Sequence, residues 1–312
     1  MREAGVARAA SAPCPASRRI CSMRVGFIGL GIMGAPMAGH LRDAGHELFL
    51  YVRNRRPEGF EAATFCASPA EVAEGSDIVI LMLPNTPEVE EVLFAEAGVA
   101  AGLSEGKILV DMSSISPIAT KAFAARITEL GCDYLDAPVS GGEVGAKEAT
   151  LAIMVGGTAE AFERVRPLFD LMGKNVTHVG AAGDGQTAKV ANQIVVGLTI
   201  GAVAEALVFA AKAGADPAKV REALMGGFAG SRILEVHGKR MLERTFKPGF
   251  RIELHQKDLE NALSSARLLQ MALPATALCQ QLFNSCAAQG GAGWDHSALV
   301  RAIELVGRHE IA

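Results

Sequence analysis

Apolar residues fall in short runs along the first half of the chain and in longer, helix-spaced patterns along the second. Residues 23–28 (MRVGFI) form an apolar run closed by Gly29, which reads as a buried parallel strand. Further runs at 47–53, 77–83, 107–110, 132–135, 151–155 and 175–179 predict strands, with helical patterns between them at 35–44, 87–94, 120–130 and 159–172. Strand alternating with helix means a mostly parallel sheet with helices on both faces. Beyond Gly180 no strand-like run follows, and 216–225, 231–243, 253–271, 274–288 and 296–308 all predict helices. Asp216-Pro217 supplies an N-cap and an N1 proline, and Asp295 is placed to cap the last helix. The change of pattern predicts an α/β Rossmann-like dinucleotide-binding domain over 23–182, then an all-α domain over 183–312 that opens with a long interdomain helix.

That helix lies in 180–213, GAAGDGQTAKVANQIVVGLTIGAVAEALVFAAKA. Its apolar body at 194–211 is interrupted by Glu205, which favours a buried spine over a membrane span. It is also too apolar for one solvated face, so a second subunit is expected to cover part of it, in a homodimer or homotetramer. Over 312 residues, half are hydrophobic, 21% are charged and the net charge is -4. Such a chain has no bulk basic charge for nucleic acid or an anionic membrane. The six cysteines show no CxxC spacing and no accompanying histidine cluster, so free thiols in a reducing, cytoplasmic setting are expected, and no metal. Cys279 and Cys286 fall on one helix face. Residues 1–22 are Ala-, Arg-, Ser- and Pro-rich with no apolar core. They read as a disordered extension, or the product of an upstream start codon, rather than a secretory signal.

The candidate chemistry sits at the strand ends. Gly29-Leu30-Gly31-Ile32-Met33-Gly34 is a G-x-G-x-x-G loop with a strand before it and a helix after it. Gly29 permits the tight turn, Gly31 lets the backbone approach a pyrophosphate, and Gly34 lets the helix pack on the strand. The helix N-terminus then offers free N–H groups to the anion. NAD-selective sites place an acid after the second strand, but here Arg53-Asn54-Arg55-Arg56 stands there. Guanidiniums match a 2′-phosphate, so NADP(H) is favoured with NAD(H) still open; the alternative is a solvated basic turn. Leu83-Pro84-Asn85-Thr86-Pro87 ends one strand, and Asp111-Met112-Ser113-Ser114-Ile115-Ser116-Pro117 follows another; its hydroxyls cap a helix, reach a ligand, or do both. Ser140-Gly141-Gly142 presents a hydroxyl and N–H groups suited to a carboxylate, unless it is an ordinary turn.

Two polar residues interrupt the start of the long helix. With the helix beginning near 184–186, Lys189 lies in or near its first turn, Asn192 faces the same way, and Gln193 is close by. A cation near the positive end of a helix dipole is destabilised by roughly 0.3–1 kcal/mol. Partial burial acts in the same direction. Both lower the ammonium pKa towards a range useful for general acid catalysis. The alternative is a snorkelling surface lysine beside a structural asparagine.

With these residues in view, the chain resembles the β-hydroxyacid dehydrogenase family. The matching blocks are GFIGLGIMGAPMA at 26–38, DMSSISP at 111–117, DAPVSGG at 136–142, GDGQTAKVANQ at 183–193 and HQKDL at 255–259. They run in the family's order from Met23 to the end. The stretches at 140–157, 223–238 and 296–300 look most like members acting on 2-hydroxy-3-oxopropanoate (tartronate semialdehyde). The resemblance implies that Lys189 is the catalytic lysine, with Asn192 beside it. It implies that Ser140, Gly141, Gly142 and Asn192 hold the substrate, and that Leu83, Pro84, Ser114 and Lys257 contact the cofactor. The implied reaction is NAD(P)H-dependent reduction of that semialdehyde to glycerate. The rivals are another semialdehyde of the family, such as the partner of 3-hydroxyisobutyrate or succinate semialdehyde, and a non-catalytic NADP-binding protein. Residues 1–22 depart from the family pattern, and no catalytic part is expected of them.

Overall fold

The computed structural model describes residues 22–311. The extension expected over residues 1–22 lies outside them except for Ser22, whose hydroxyl donates to the Gly45 carbonyl at 2.9 Å. The strands are β1 (Arg24–Ile28), β2 (Glu47–Tyr51), β3 (Thr64–Phe65), β4 (Ile78–Leu81), β5 (Ile108–Asp111), β6 (Asp133–Asp136), β7 (Val139–Ser140), β8 (Leu151–Gly156) and β9 (Gly173–Gly180). They form one sheet in the order β3-β2-β1-β4-β5-β6-β8-β7, with β9 also on β8. The pairs are parallel except β6 with β8 and β7 with β8. The order reverses at β1 and β4, the point where an open α/β sheet leaves a crevice for a ligand. This is a Rossmann-like sheet, extended beyond β6 by an antiparallel return.

Alternation along the strands divides the core into two layers. Val25, Phe27, Ile78, Ile80, Ile108 and Val110 face one layer. They pack there with α1 (Gly34–Asp43), α6 (Gly142–Lys147) and α7 (Ala159–Phe169). Ile28, Val79, Leu81 and Leu109 face the other layer. There they meet α2 (Pro69–Gly75), α3 (Thr86–Phe94), α4 (Val99–Gly102) and α5 (Pro117–Thr128). Buried on both faces, these strands read as continuous apolar runs. The elements the sequence did not predict are all short: β3, β7, α2, α4 and α6. None is long enough to establish a period.

From Asp184 onward the regular elements of the described residues are helices, apart from a single bridge between Arg251 and Asp295. The helices are α8 (Asp184–Lys212), α9 (Pro217–Met225), α10 (Arg232–Leu242), α11 (Ile252–Leu268), α12 (Pro274–Cys286) and α13 (Val300–Gly307). The single helix expected over 296–308 is instead a 3-10 turn, His296–Leu299, running into α13. Asp216 caps α9 and Asp295 caps that turn, each through its carboxylate. Ile200, Val203, Ala204 and Leu207 of α8 pack against Leu234, Leu259, Phe283 and Leu299, so α8 is the spine of this half. The covering is partial, with Val195 62% and Phe209 75% exposed.

The two halves are joined by a buried carboxylate. Asp136, at the end of β6, accepts from the backbone N–H of Gly183 and of Gln186, both at 2.7 Å. It thereby satisfies leading N–H groups of α8 and places a negative charge at the positive end of the helix. Gly185 is required here, because a Cβ would meet the carbonyl of Asp136 at 2.6 Å. The start of α8 is therefore fixed on the C-terminal edge of the sheet.

Candidate active site

The glycine loop follows β1 directly. Gly29 has a φ of +99°, and a Cβ there would strike the Met82 carbonyl, so the turn admits glycine alone. A Cβ on Gly34 would strike the Gly29 carbonyl, which fixes how closely α1 seats on the strand. A Cβ on Gly31 would meet nothing within 4 Å, so open space lies in front of that residue. No side chain caps the N-terminus of α1, and Ile32 is exposed. These features fit a dinucleotide whose pyrophosphate lies over Gly31 at the head of α1.

The other strand-end loops converge on the same edge. Leu83 stands beside Gly29, with its side chain 3.1 Å from where a Gly29 Cβ would be, and its N–H donates to Ser113 Oγ at 2.9 Å. Lys257 reaches across from α11 and donates to the carbonyls of Ser114 (2.6 Å) and Pro84 (3.1 Å). The residues expected to line a cofactor at 83, 84, 114 and 257 are thus brought together. Gln186, fully buried at the start of α8, donates to the Ser113 carbonyl at 2.7 Å and accepts from Ile115 N–H at 3.1 Å. It ties the loop after β5 to the helix that carries Lys189.

Lys189 lies in the second turn of α8 rather than its first, and it is 6% exposed. The dipole argument weakens with that distance, while the burial argument strengthens. Burial pushes its ammonium pKa below the ordinary lysine value; the Asp258 carboxylate opposes this and Lys257 adds to it. Its Nζ approaches Gln193 Oε1 at 3.4 Å. Asn192 is half-buried and reaches the lysine through the same atom, with Nδ2 donating to Gln193 Oε1 at 2.8 Å. Gln193 Nε2 donates in turn to Asp258 Oδ2 at 2.6 Å, and Asp258 Oδ1 stands 3.1 Å from Lys257 Nζ. One polar chain therefore runs from the buried amine to the cofactor-side loops. The sequence does not mark Gln193 or Asp258 as site residues. The i+4 spacing pointed to the first, but a partner 65 residues further on leaves no local signal.

Ser140 ends β7 and is half-buried. Gly141 and Gly142 both have positive φ, +137° and +61°, so the chain turns sharply into α6. A Cβ on Gly142 would stand 3.3 Å from the carbonyl of Gly249, so the helical half lies directly over this turn. The basic turn after β2 is different in kind. Arg53, Asn54, Arg55 and Arg56 are exposed. Arg53 pairs with Glu91 at 2.9 Å, Arg55 with Glu58 at 3.6 Å, and Arg56 lies over the Phe65 ring at 4.4 Å.

Two family patterns match the chain. Residues 24–180 match the NAD binding domain of 6-phosphogluconate dehydrogenase, and residues 183–303 match the NAD-binding region of NADP-dependent 3-hydroxyisobutyrate dehydrogenase. The chain is 62% identical over 294 residues to 2-hydroxy-3-oxopropionate reductase of Escherichia coli (strain K12), covering 93% of this chain and 100% of that protein. It is 35% identical over 272 residues to 3-hydroxyisobutyrate dehydrogenase of Pseudomonas aeruginosa, covering 83% of this chain and 91% of that one. Among solved structures, it superposes on Mycobacterium tuberculosis 3-hydroxyisobutyrate dehydrogenase with L-serine at a TM-score of 0.81 and 32% identity, covering 90% of this chain and 99% of that one.

Proposed function

The chain belongs to the β-hydroxyacid dehydrogenase family of nicotinamide-dependent oxidoreductases, and on that premise we propose that it reduces 2-hydroxy-3-oxopropanoate to glycerate with Lys189 as the general acid. The observation that carries this reading is the buried Lys189 amine, oriented by Gln193 and facing a crevice lined by Ser114, Gln186, Asp258 and Asn261. The substrate follows from the 62% identical relative, whose name gives that activity.

The dinucleotide, when bound, supplies the hydride. The loop from Gly29 to Gly34 would hold its pyrophosphate, and Leu83, Pro84, Ser114 and Lys257 are the residues that would contact it. Lys189, in its ammonium form, donates to the aldehyde oxygen and gives that oxygen its proton as negative charge develops there. Gln193 accepts from the Lys189 amine and directs it. Asn192 supports Gln193, and its own position leaves it able to reach the substrate's hydroxyl or carboxylate. Ser140 and the N–H groups of Gly141 and Gly142 receive the carboxylate and fix the aldehyde carbon for attack. Burial around Lys189 limits the water that can compete with it at the carbonyl.

NADP(H) is the favoured cofactor, supported by Asn54, Arg55 and Arg56 after β2 with no acid at the strand end. Residues 23–182 act as the nucleotide domain and 183–312 as the substrate and assembly domain. A homodimer or homotetramer covers the exposed stripe of α8 that includes Val195 and Phe209. The setting is cytoplasmic, in keeping with the free thiols of Cys66, Cys132, Cys279 and Cys286.

Lys189→Ala tests the central role. We expect at least about a thousandfold loss of kcat, with NADPH affinity within about threefold of wild type by fluorescence titration. Turnover above a tenth of the wild-type rate would remove Lys189 from the mechanism.

A further inference from the structure

A buried polar cluster in the helical half takes no part in the chemistry above. Asp295 is fully buried, and its oxygens are filled with donors. Oδ1 accepts from the N–H of Ser297 at 3.1 Å and from its hydroxyl at 2.5 Å. Oδ2 accepts from the N–H of Gly249 at 2.9 Å, the N–H of Phe250 at 3.2 Å and the Arg240 guanidinium at 2.6 Å. Three imidazoles continue from it. His237 Nδ1 is 3.7 Å from Asp295 Oδ1, and His237 Nε2 is 3.2 Å from His296 Nε2. His296 Nδ1 is 3.0 Å from His255 Nδ1, and His255 Nε2 is 3.2 Å from the carbonyl oxygen of Gln193.

His237, Asp295 and His296 stand close enough to share a cation. The five donors on Asp295 leave it no free lone pair to offer one. Hydrogen bonds among neutral rings instead run from the Gln193 carbonyl to His237 and end there, since His237 Nδ1 has no hydrogen-bond partner among the described residues; the run joins Asp295 through the backbone of its neighbour His296. The Gln193 carbonyl only accepts, so His255 donates from Nε2 and accepts at Nδ1. His296 then donates from Nδ1 and accepts at Nε2, and His237 donates from Nε2. Burial holds these rings neutral, pushing His255 down to about 4 and lowering His237 and His296 as well.

The cluster has two arms, and each ends on a different part of the candidate site. Through the N–H groups of Gly249 and Phe250, Asp295 sets the turn whose Gly249 carbonyl lies over Gly142. Through His296 and His255, the other arm reaches the carbonyl of Gln193, the residue whose side chain meets Lys189. The Phe250 ring packs edge-on against both His255 and His296, at 5.9 and 5.4 Å. A displacement of Asp295 would move the lid over the substrate turn relative to the lysine.

We propose that Asp295, with Arg240 and the chain of His237, His296 and His255, positions the 249–250 turn over Ser140-Gly141-Gly142 in register with the Lys189 turn of α8, and so sets how tightly the substrate is held. Asp295 and Arg240 are positioning residues that act through Gly249. The proposal rests on the reading of the 140–142 turn as the carboxylate receptor.

The test is steady-state reduction of tartronate semialdehyde with NADPH by wild type, Asp295→Asn, Arg240→Gln, Arg240→Lys and Ser140→Ala, with a thermal melt of each. A misplacement of this kind should raise the aldehyde KM about tenfold in Asp295→Asn and several-fold in Arg240→Gln, with the NADPH KM within about twofold. Arg240→Lys keeps a cation at the carboxylate and should recover most of the loss. Arg240 is 31% exposed, so its variants decide the matter even where Asp295→Asn does not fold. Asp295 and Arg240 variants that melt earlier but keep the wild-type aldehyde KM, while Ser140→Ala raises it, overturn the proposal alone. An unchanged aldehyde KM in Ser140→Ala overturns the carboxylate reading, and the proposal falls with it.

Discussion

The second turn of α8 and the basic turn after β2 both carry cations at the edge of the same sheet, yet they are held in opposite ways. Lys189 is 6% exposed and is held through Gln193, which Asp258 fixes from a helix distant in sequence. Arg55 and Glu58 form a pair at 3.6 Å whose side chains are 87% and 94% exposed. A buried amine is costly to desolvate, and its retention beside a prepared acceptor points to chemistry. An exposed pair contributes about 0–1 kcal/mol to stability, so the basic turn does little to hold the fold together. The role proposed for the first region has support in the protein's own geometry; the role proposed for the second needs a ligand phosphate to reveal it.

The sharpest way to break this contrast is at Gln193. Gln193→Leu keeps the volume but removes the acceptor of both Lys189 and Asn192 and leaves Asp258 without its amide donor. We expect kcat to fall on the order of a hundredfold while the NADPH KM moves less than threefold, because the cofactor loops are held separately by Gln186 and Lys257. An unchanged kcat would show that the amine needs no such partner.

A second test sits at the buried end of β5. Burial raises the Asp111 carboxyl from 3.8 to about 6, against the bonds it accepts from Ser113 and Tyr134. A carboxyl with a raised folded pKa binds more protons in the folded state than in the unfolded one between those values. The stability it contributes is therefore present below about 4 and is lost as pH rises towards about 6. Asp111→Asn removes the charge, so it should stabilise the protein at pH 7 to 8 by on the order of 2 kcal/mol and flatten the profile between pH 4 and 6. Denaturant melts across that range read the effect directly; a destabilised variant at pH 8 would contradict it.

The smallest effects belong to the basic turn. The double variant Arg55→Ala with Arg56→Ala should leave the melting temperature within about 1 °C, as befits exposed side chains. It should raise the NADPH KM about three- to tenfold and leave the NADH KM nearly unchanged. Equal changes in both would return the turn to a solvated surface.

Much of this was legible in the chain. The runs that became β1, β4 and β5 are apolar on both faces because helices cover both faces, and the GLGIMG loop needs its glycines for reasons the structure repeats at Gly29 and Gly34. Lys189 stood out because an apolar helix had no use for a cation. The antiparallel return through β7 was not legible, since Val139–Ser140 is too short to show alternation. Nor were the distant partners of Asp258, Asp136 and Asp295, although the capping role of Asp295 was. Each acts on partners 45 or more residues away, through backbone N–H groups or a side-chain amide that carry no sequence signature.

The account turns on which aldehyde this site serves, and parallel steady-state kinetics reads that directly. Tartronate semialdehyde, methylmalonate semialdehyde and succinate semialdehyde are each offered with NADPH and with NADH. The account predicts the highest kcat/KM for tartronate semialdehyde with NADPH, by about tenfold or more over the aldehydes that lack its hydroxyl. A higher kcat/KM for either of the other two, or no oxidation of either cofactor by any of the three, would contradict it.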